Sequence, residues 1–413
     1  MCLRMPRYFY NKSIPSICLL LLIFSPLSAF ADSNKTPIAI LSEAITSEAI
    51  ASSIVSSNAL TSDTINVAFI SPCCTSFWGD VRDFSQDVAG DLGINLTHIS
   101  ANSRFETLKK AKALFEQNEK PDYLVYHYQV RTSPLILRLA EEAGIKSFIL
   151  NTNIPETEVQ ELGLPREKMK HWIAHLSPDD TYVGYQLADL LIRGKKENNK
   201  FSSAENKPIN IIGIGGFDYP VAGPLRERGL RQRIAMESDV VLNRYIFTDW
   251  SAENAAAGVS HLLRIYPDTS VIWAATDNLA HGAVRAIREH GIDRGKSIAV
   301  GGIDWTSQGI AAVKSGDMQV TLGGHYMNGG WALVLINDFH HGLDFKDELG
   351  TVINLPMLPI TSREVDQYIE VFGEDKWKDI DFKQYSKYFN PSLTRYDFSL
   401  SKIFEHNTIQ LAQ

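Results

Sequence analysis

Short clusters of aromatic, amide and charged residues close a series of apolar runs in this sequence. They are Ser71-Pro72-Cys73-Cys74-Thr75-Ser76-Phe77-Trp78, Leu150-Asn151-Thr152-Asn153, Arg226-Glu227-Arg228-Gly229, Thr248-Asp249-Trp250, Thr276-Asp277-Asn278 and Ile303-Asp304-Trp305. Aromatic faces stack on the C–H faces of a sugar-like ring, while carboxylates, amides and a guanidinium pair with its hydroxyls. Each cluster also has a plain local reading. Phe77 and Trp78 suit the first turn of a helix, and Asp249 and Asp277 suit helix caps. Their recurrence at strand ends in both halves of the chain is what points to a polyhydroxylated ligand.

Other chemistry lacks its residues. The glycine run Gly213-Ile214-Gly215-Gly216-Phe217-Asp218 follows an apolar stretch, but Asp218 stands where a third glycine would let a pyrophosphate approach. No phosphate-binding loop of the G-x-x-x-x-G-K-[ST] type, nucleophile elbow or H-E-x-x-H zinc motif occurs. His171 and His175 are four apart and His340 and His341 adjacent, without a well-placed Cys or carboxylate, so they are expected at the surface or at caps. Neither a metal, a cofactor nor a nucleophile–base pair is expected, and the chain reads as a binding protein and not an enzyme.

Alternating elements position the clusters. Apolar runs at 65–70, 94–98, 123–127 and 147–150 alternate with helical stretches at 77–91, 105–117 and 134–143. This alternation predicts βαβ units on a parallel sheet. A proline-bearing, charged stretch at 156–170 interrupts the rhythm, and a helix at 182–193 follows an Asp cap. The alternation restarts with strands at 209–214, 240–247, 271–275 and 298–302 and helices at 225–235, 253–265 and 279–290. A helical stretch at 307–314, a strand at 318–323, an amphipathic helix at 328–339 and an extended run at 351–358 come next. Two α/β units in one chain result. Residues 381–398, crowded with Tyr, Phe and Lys, are expected as an irregular extension wrapped over the surface by its aromatics.

With 48 acidic and 40 basic residues and a net charge of −8, the 413-residue chain has no basic stretch that could track a phosphate backbone, which argues against nucleic acid. Arg4, Arg7 and Lys12 precede an apolar run at 17–24, and Ala29-Phe30-Ala31 has the small-x-small pattern of a signal-peptidase site. Residues 1–31 are therefore expected to be a cleaved export signal, the run being too short for the roughly 20 apolar residues that span a bilayer. Cleavage near Ala31 would leave a periplasmic, more acidic chain that does not span the membrane. Residues 32–63, rich in Ser, Ala and Thr, read as a linker. Cys73 and Cys74 are the pair left after cleavage, expected as two separate small side chains in a loop.

On these residues the chain resembles the type I periplasmic solute-binding proteins, the group of ribose- and galactose-binding proteins, and more distantly the autoinducer receptor LuxP. The resemblance covers about 64–366 and is carried by Ala222-Gly223-Pro224-Leu225-Arg226-Glu227-Arg228-Gly229, by AATDNLAHGAVRAI at 274–287 and by VGGIDWTSQGIAAV at 300–313. It implies two Rossmann-like doubly wound lobes joined by a three-strand hinge near 176–180, 323–326 and 354–358. The N-terminal lobe would comprise 64–177 and 325–353, the C-terminal lobe 178–324 and 354–375, with 376–413 as an extension. It also implies ligand contacts from Thr75, Phe77, Trp78, Asn151, Arg226, Trp250, Thr276, Asp277 and Asp304. Thr152 stands where ribose binders carry an arginine, and Gly324 where a polar or charged hinge residue is usual, so the implied ligand is neither ribose nor a borate diester. The implied output is delivery of a small polar solute, a sugar, to an inner-membrane ABC permease. The alternative is docking of a ligand-sensing subunit on a membrane sensor kinase or cyclase.

Overall fold

The computed structural model describes residues 64–73, 76–199, 207–216, 222–291 and 298–411. The expected export signal and linker lie outside them. The chain begins as β1 (Asn66–Ser71), α1 (Ser76–Leu92), β2 (Asn95–Ser100), α2 (Arg104–Phe115), β3 (Tyr123–His127), α3 (Ser133–Ala143) and β4 (Lys146–Leu150). The interrupting stretch contains a short helix, α4 (Glu156–Leu162), and β5 (Trp172–Pro178) follows. Every residue of β3 and β5 is buried, as strands covered by helices on both faces require.

After α5 (Asp180–Asn199) come β6 (Ile209–Gly216), α6 (Ala222–Ile234), β7 (Val240–Thr248), α7 (Ala252–Ile265), β8 (Val271–Ala274), α8 (Asp277–Glu289), β9 (Ala299–Ile303), α9 (Ser307–Ser315) and β10 (Val320–Gly323). A 3-10 turn at His325–Met327 leads into α10 (Asn328–His340), α11 (Lys346–Leu349), β11 (Val352–Leu355), β12 (Leu358–Thr361) and α12 (Val365–Phe372). Two six-stranded sheets result, in the orders β11-β5-β4-β3-β1-β2 and β12-β10-β9-β8-β6-β7. All pairings are parallel except β12 on β10. The chain passes between the sheets at Pro178 to Asp180, at Gly323 to Asn328 and at Leu355 to Leu358. The extended run at 351–358 is thus two strands in two different sheets.

α10 is almost wholly buried and lies against α1, so its apolar residues face core nearly all round. The C-terminal segment covers this pair. It makes 3-10 turns at Gly373–Asp379 and Phe382–Tyr385 and ends in α13 (Leu400–Leu411). Phe382 meets Phe84 edge-on at 5.2 Å, and Phe398 stacks on Trp331 at 4.8 Å and 17°. Trp377 donates from Nε1 to Asp87 at 2.8 Å. Buried Asp338 of α10 accepts from Ser386 Oγ (2.5 Å), Lys387 N (2.7 Å), Tyr388 N (3.1 Å) and the Tyr396 hydroxyl (2.9 Å). Aromatic contact accounts for part of the attachment and this one carboxylate for much of the rest. Among the described residues no helix is long and apolar enough to cross a membrane.

Candidate functional site

Parallel strands followed by helices put strand carboxyl ends and helix N-termini at the same edge of each sheet. Here those edges line a cleft of about 1020 Å³ to which both sheets contribute. The helix starts are fixed by side-chain caps: Ser103, Ser251, Thr276 and Thr306 each accept from the backbone N–H three residues on.

Phe77 and Trp78, in the first turn of α1, form the aromatic wall on the first sheet's side. They meet edge-on at 5.2 Å; Phe77 stacks on His325 (4.5 Å, 30°) and Trp78 tilts against His127 (4.9 Å). Trp250, just past β7, is the wall on the other side. Its ring lies over Gly216, where a Cβ would come within 1.9 Å of the indole, so only glycine fits beneath it. Asn151 lines the cleft at the end of β4, its Oδ1 accepting from Asn328 at 2.7 Å. Thr276 lines it as well, as the cap of α8.

Arg226 and Asp304 also line the cleft. The buried guanidinium donates from Nε to Asp180 at 2.9 Å and from one terminal nitrogen to the Ala275 carbonyl at 2.7 Å, and that nitrogen lies 3.6 Å from Asp304. Burial alone would lower the Arg226 pKa, but Asp180 and Asp304 together raise it, so the charge is held in place. Asp304 is pushed up to about 7, chiefly by burial and also by Asp180, with Arg226 opposing.

Asp277, expected in the floor of this site, is not among the lining side chains. It is turned inward from the start of α8, accepting from Thr321 Oγ1 at 2.6 Å and from Thr306 N at 2.9 Å and Oγ1 at 3.2 Å. Its place beside the guanidinium is taken by Asp180. Thr75 lies outside the described residues. Cys73, which follows the cleft-lining Pro72, is disulfide-bonded, so the expected pair of separate thiols does not hold; an oxidising compartment favours that state.

Sequence reasoning missed His127, Gln129 and His325, all in the cleft wall. His325 follows β10 at the second crossing, with Nε2 3.4 Å from Asp304. Burial holds His127 at about 4, and burial together with Arg226 holds His325 at about 3, so both rings are neutral near pH 7. His127 Nδ1, His325 Nδ1 and Asn151 Nδ2 are buried and have no hydrogen-bond partner among the described residues. Buried polar atoms are ordinarily paired, and these three belong to side chains of the cleft wall. The paired histidines behave otherwise. His175 is buried within β5, its Nε2 2.9 Å from the Thr152 carbonyl, and is not at the surface. His171 Nδ1 is 3.2 Å from Glu141, His340 Nδ1 is 3.3 Å from the Tyr123 hydroxyl, and His341 stacks on Tyr388.

Backbone conformation concentrates here too. Arg131, Asn151, Trp250 and Asp304 in the cleft wall and the adjoining Trp305 have φ values of 71°, 59°, 67°, 130° and 58°. Each such non-glycine residue costs on the order of 1–3 kcal/mol. The spending falls where side chains must be aimed into the cleft.

The elevated Asp304 pKa has a stability consequence of definite sign. A carboxyl whose folded pKa lies above its ordinary value stabilises the fold at low pH and loses that contribution as pH rises through the folded value. The wild type should therefore lose stability relative to Asp304→Asn between about pH 4 and pH 7, the window between the ordinary and shifted values. Urea midpoints of both proteins at pH 4, 5.5 and 8 check this; a constant difference would show that Asp304 titrates normally.

A family model of the periplasmic binding protein domain matches residues 67–336. The ribose import binding protein RbsB of Salmonella typhimurium is 25% identical over 262 residues, covering 63% of this chain and 78% of that protein. The galactofuranose-binding protein YtfQ of Escherichia coli is 22% identical over 190 residues, 45% of this chain and 54% of that protein. A periplasmic sugar-binding protein from Pseudomonas fluorescens superposes with a TM-score of 0.72 at 30% identity, over 82% of this chain and 99% of the other. An ABC transporter solute-binding protein from Actinobacillus succinogenes with bound D-allose superposes with a TM-score of 0.63 at 18% identity, over 74% of this chain and all 100% of the other.

Proposed function

The chain belongs to the periplasmic binding protein family with the type I fold, and from that premise we propose that it binds a monosaccharide-sized sugar in the cleft between the two sheets and delivers it to an inner-membrane ABC permease. The observation that carries this reading is the placement of aromatic walls from both sheets in one cleft with the Arg226–Asp304 pair. Phe77, Trp78 and Trp250 cover the apolar faces of the ring. Arg226 and Asp304 pair with its hydroxyls, and Asn151, Thr276, His127 and His325 in the same wall are the further polar side chains beside it. The named ligands of the relatives, ribose and galactofuranose, support the solute class.

Nothing in this arrangement requires a cofactor or a catalytic step; the work is done by closure. A ligand that touches both sheets favours the conformation in which they approach, by as much as it prefers that conformation. The three crossings are the places where the chain would bend, and the closed face is what a permease would read.

A panel of aldoses, ketoses and sugar alcohols, screened by thermal shift and then by calorimetry, tests the reading. At least one neutral sugar should bind with micromolar or tighter affinity and quench or shift indole emission. Trp78→Ala and Trp250→Ala should each weaken it by roughly fivefold or more, since a stacked ring contributes about 1 kcal/mol. Failure of every sugar in the panel, or affinity unmoved in both variants, contradicts the proposal.

A further inference from the structure

The cleft is longer than one sugar ring. On the first sheet its lining runs from the end of β4, at Asn151, past β3 and β1 to the loop after β2, at Asn102 and Phe105. On the second sheet it runs from the end of β9, at Asp304, past β8 and β6 to the end of β7, at Asp249. Each wall thus crosses three strand-to-strand intervals, which at about 4.8 Å each make a length of about 14 Å. A six-membered sugar ring with its hydroxyls, built from bonds of about 1.5 Å, takes up about half of that. The volume of about 1020 Å³ agrees, lying at the top of the range of roughly 300–1,000 Å³ for clefts that hold drug-sized ligands.

The aromatic walls described above gather in the inner part. Phe77 stacks on His325 at the second crossing, Trp78 tilts against His127 at the end of β3, and the Trp250 ring is turned back over Gly216 at the end of β6. β2 and β7 are the edge strands on the side away from the crossings, and the residues that follow them give the cleft an outer end with its own chemistry. Phe105, in the first turn of α2, is 66% exposed there; the Arg104 guanidinium lies over its ring at 4.9 Å, which leaves one face for a ligand. Its backbone is held in place. Ser103 caps α2, the Asn102 amide donates to Glu106 at 3.0 Å, and the Asn102 side chain accepts from Cys73 N at 2.9 Å, which ties this loop to the one after β1. On the other wall Asp249 is exposed, and hydrogen bonds led by that from the Ser251 hydroxyl hold its carboxyl below the usual range, so it is a charged acceptor. An aromatic face on one wall and a carboxylate on the other repeat, at the outer end, the pairing found at the inner one.

We propose that the cleft takes two linked sugar rings, the inner one at the site assigned above and the outer one between Phe105 and Asp249, so that the preferred solute is a disaccharide. This inference rests on the sugar reading of the cleft and adds a second ring to it.

Calorimetric titration of the full chain with glucose, galactose, fructose and ribose, and with maltose, cellobiose, lactose, melibiose and sucrose, tests the assignment. At least one disaccharide should bind about tenfold or more tighter than either of its component monosaccharides. Phe105→Ala should weaken that disaccharide about fivefold and leave monosaccharide affinity within about twofold, while Phe105→Tyr, which keeps the ring, should bind as the wild type does. Asp249→Ala should likewise weaken the disaccharide alone. Monosaccharides that bind with no disaccharide binding more tightly overturn the outer subsite and leave the sugar reading standing. A Phe105→Ala protein that loses affinity for both classes alike, or for neither, overturns the placement of the outer ring. Failure of every mono- and disaccharide overturns the subsite and the sugar reading together.

Discussion

Arg226→Met should reduce sugar affinity at least a hundredfold. The wild-type guanidinium sits between Asp180 and Asp304 with a backbone carbonyl as its third partner, all of it buried. Removing it takes away the donor proposed for the sugar and leaves two acids without their cation. Truncating one partner of a buried, hydrogen-bonded charge pair at a binding surface costs about 2–5 kcal/mol of binding, and about 3 kcal/mol corresponds to roughly two orders of magnitude in affinity. Arg226→Lys should fall between, because the charge returns without the fork that reaches three acceptors. Calorimetry on the sugar found by the panel, with urea unfolding of the same samples, separates lost binding from lost stability. Affinity within threefold of wild type in a folded Arg226→Met protein would refute the role.

Asp338→Ala should produce the other large effect, on stability and not on binding. Its two oxygens hold Ser386, the Lys387 and Tyr388 amides and the Tyr396 hydroxyl, fastening the C-terminal segment to α10. Hydrogen bonds to a buried carboxylate are worth about 1.5–3 kcal/mol each, and stranded donors cost more, so a loss of about 3 kcal/mol is expected. Differential scanning calorimetry should record a fall of several degrees in Tm. Sugar affinity should stay within twofold, since no described residue of 376–413 lines the cleft. Deletion of 376–413 should lower stability further, because Phe84 and Trp331 lose their aromatic cover. An unchanged Tm, or lost sugar binding in folded protein, contradicts this account.

The parallel sheets were legible because strands buried on both faces leave continuous apolar runs, as at Tyr123–His127 and Val271–Ala274. β5 escaped because His175 and Ser177 interrupt its apolar pattern. Both are buried and bonded, His175 at the Thr152 carbonyl and Ser177 at Asn153, and pairing of that kind has no local signature. Asp180 reads locally as the start of a helix. Its bond to Arg226, 46 residues away, exists only once α5 and α6 have packed. Asn151, Trp250 and Asp304 were found by their place at strand ends, a rule of topology that needs no contact information. The same rule marks His127, the last residue of β3, but spacing drew attention to the paired histidines instead. Asp277 passes that rule and yet faces inward, because side-chain direction at a helix start depends on which neighbour offers donors.

The three crossings also set the order in which the molecule can be completed. β5 pairs with β11, with His175 opposite Val352, and β10 pairs with β12 from beyond that point. A nascent chain that has reached only residue 340 holds most of both sheets, yet one edge of each awaits a strand still to be made. Contacts so distant in sequence carry a loop-closure cost and slow folding. Until β11 arrives, β5 offers its open edge to any strand nearby. Chains ended before 352 should therefore associate, and the last sixty residues act as a clasp that closes both halves almost at once.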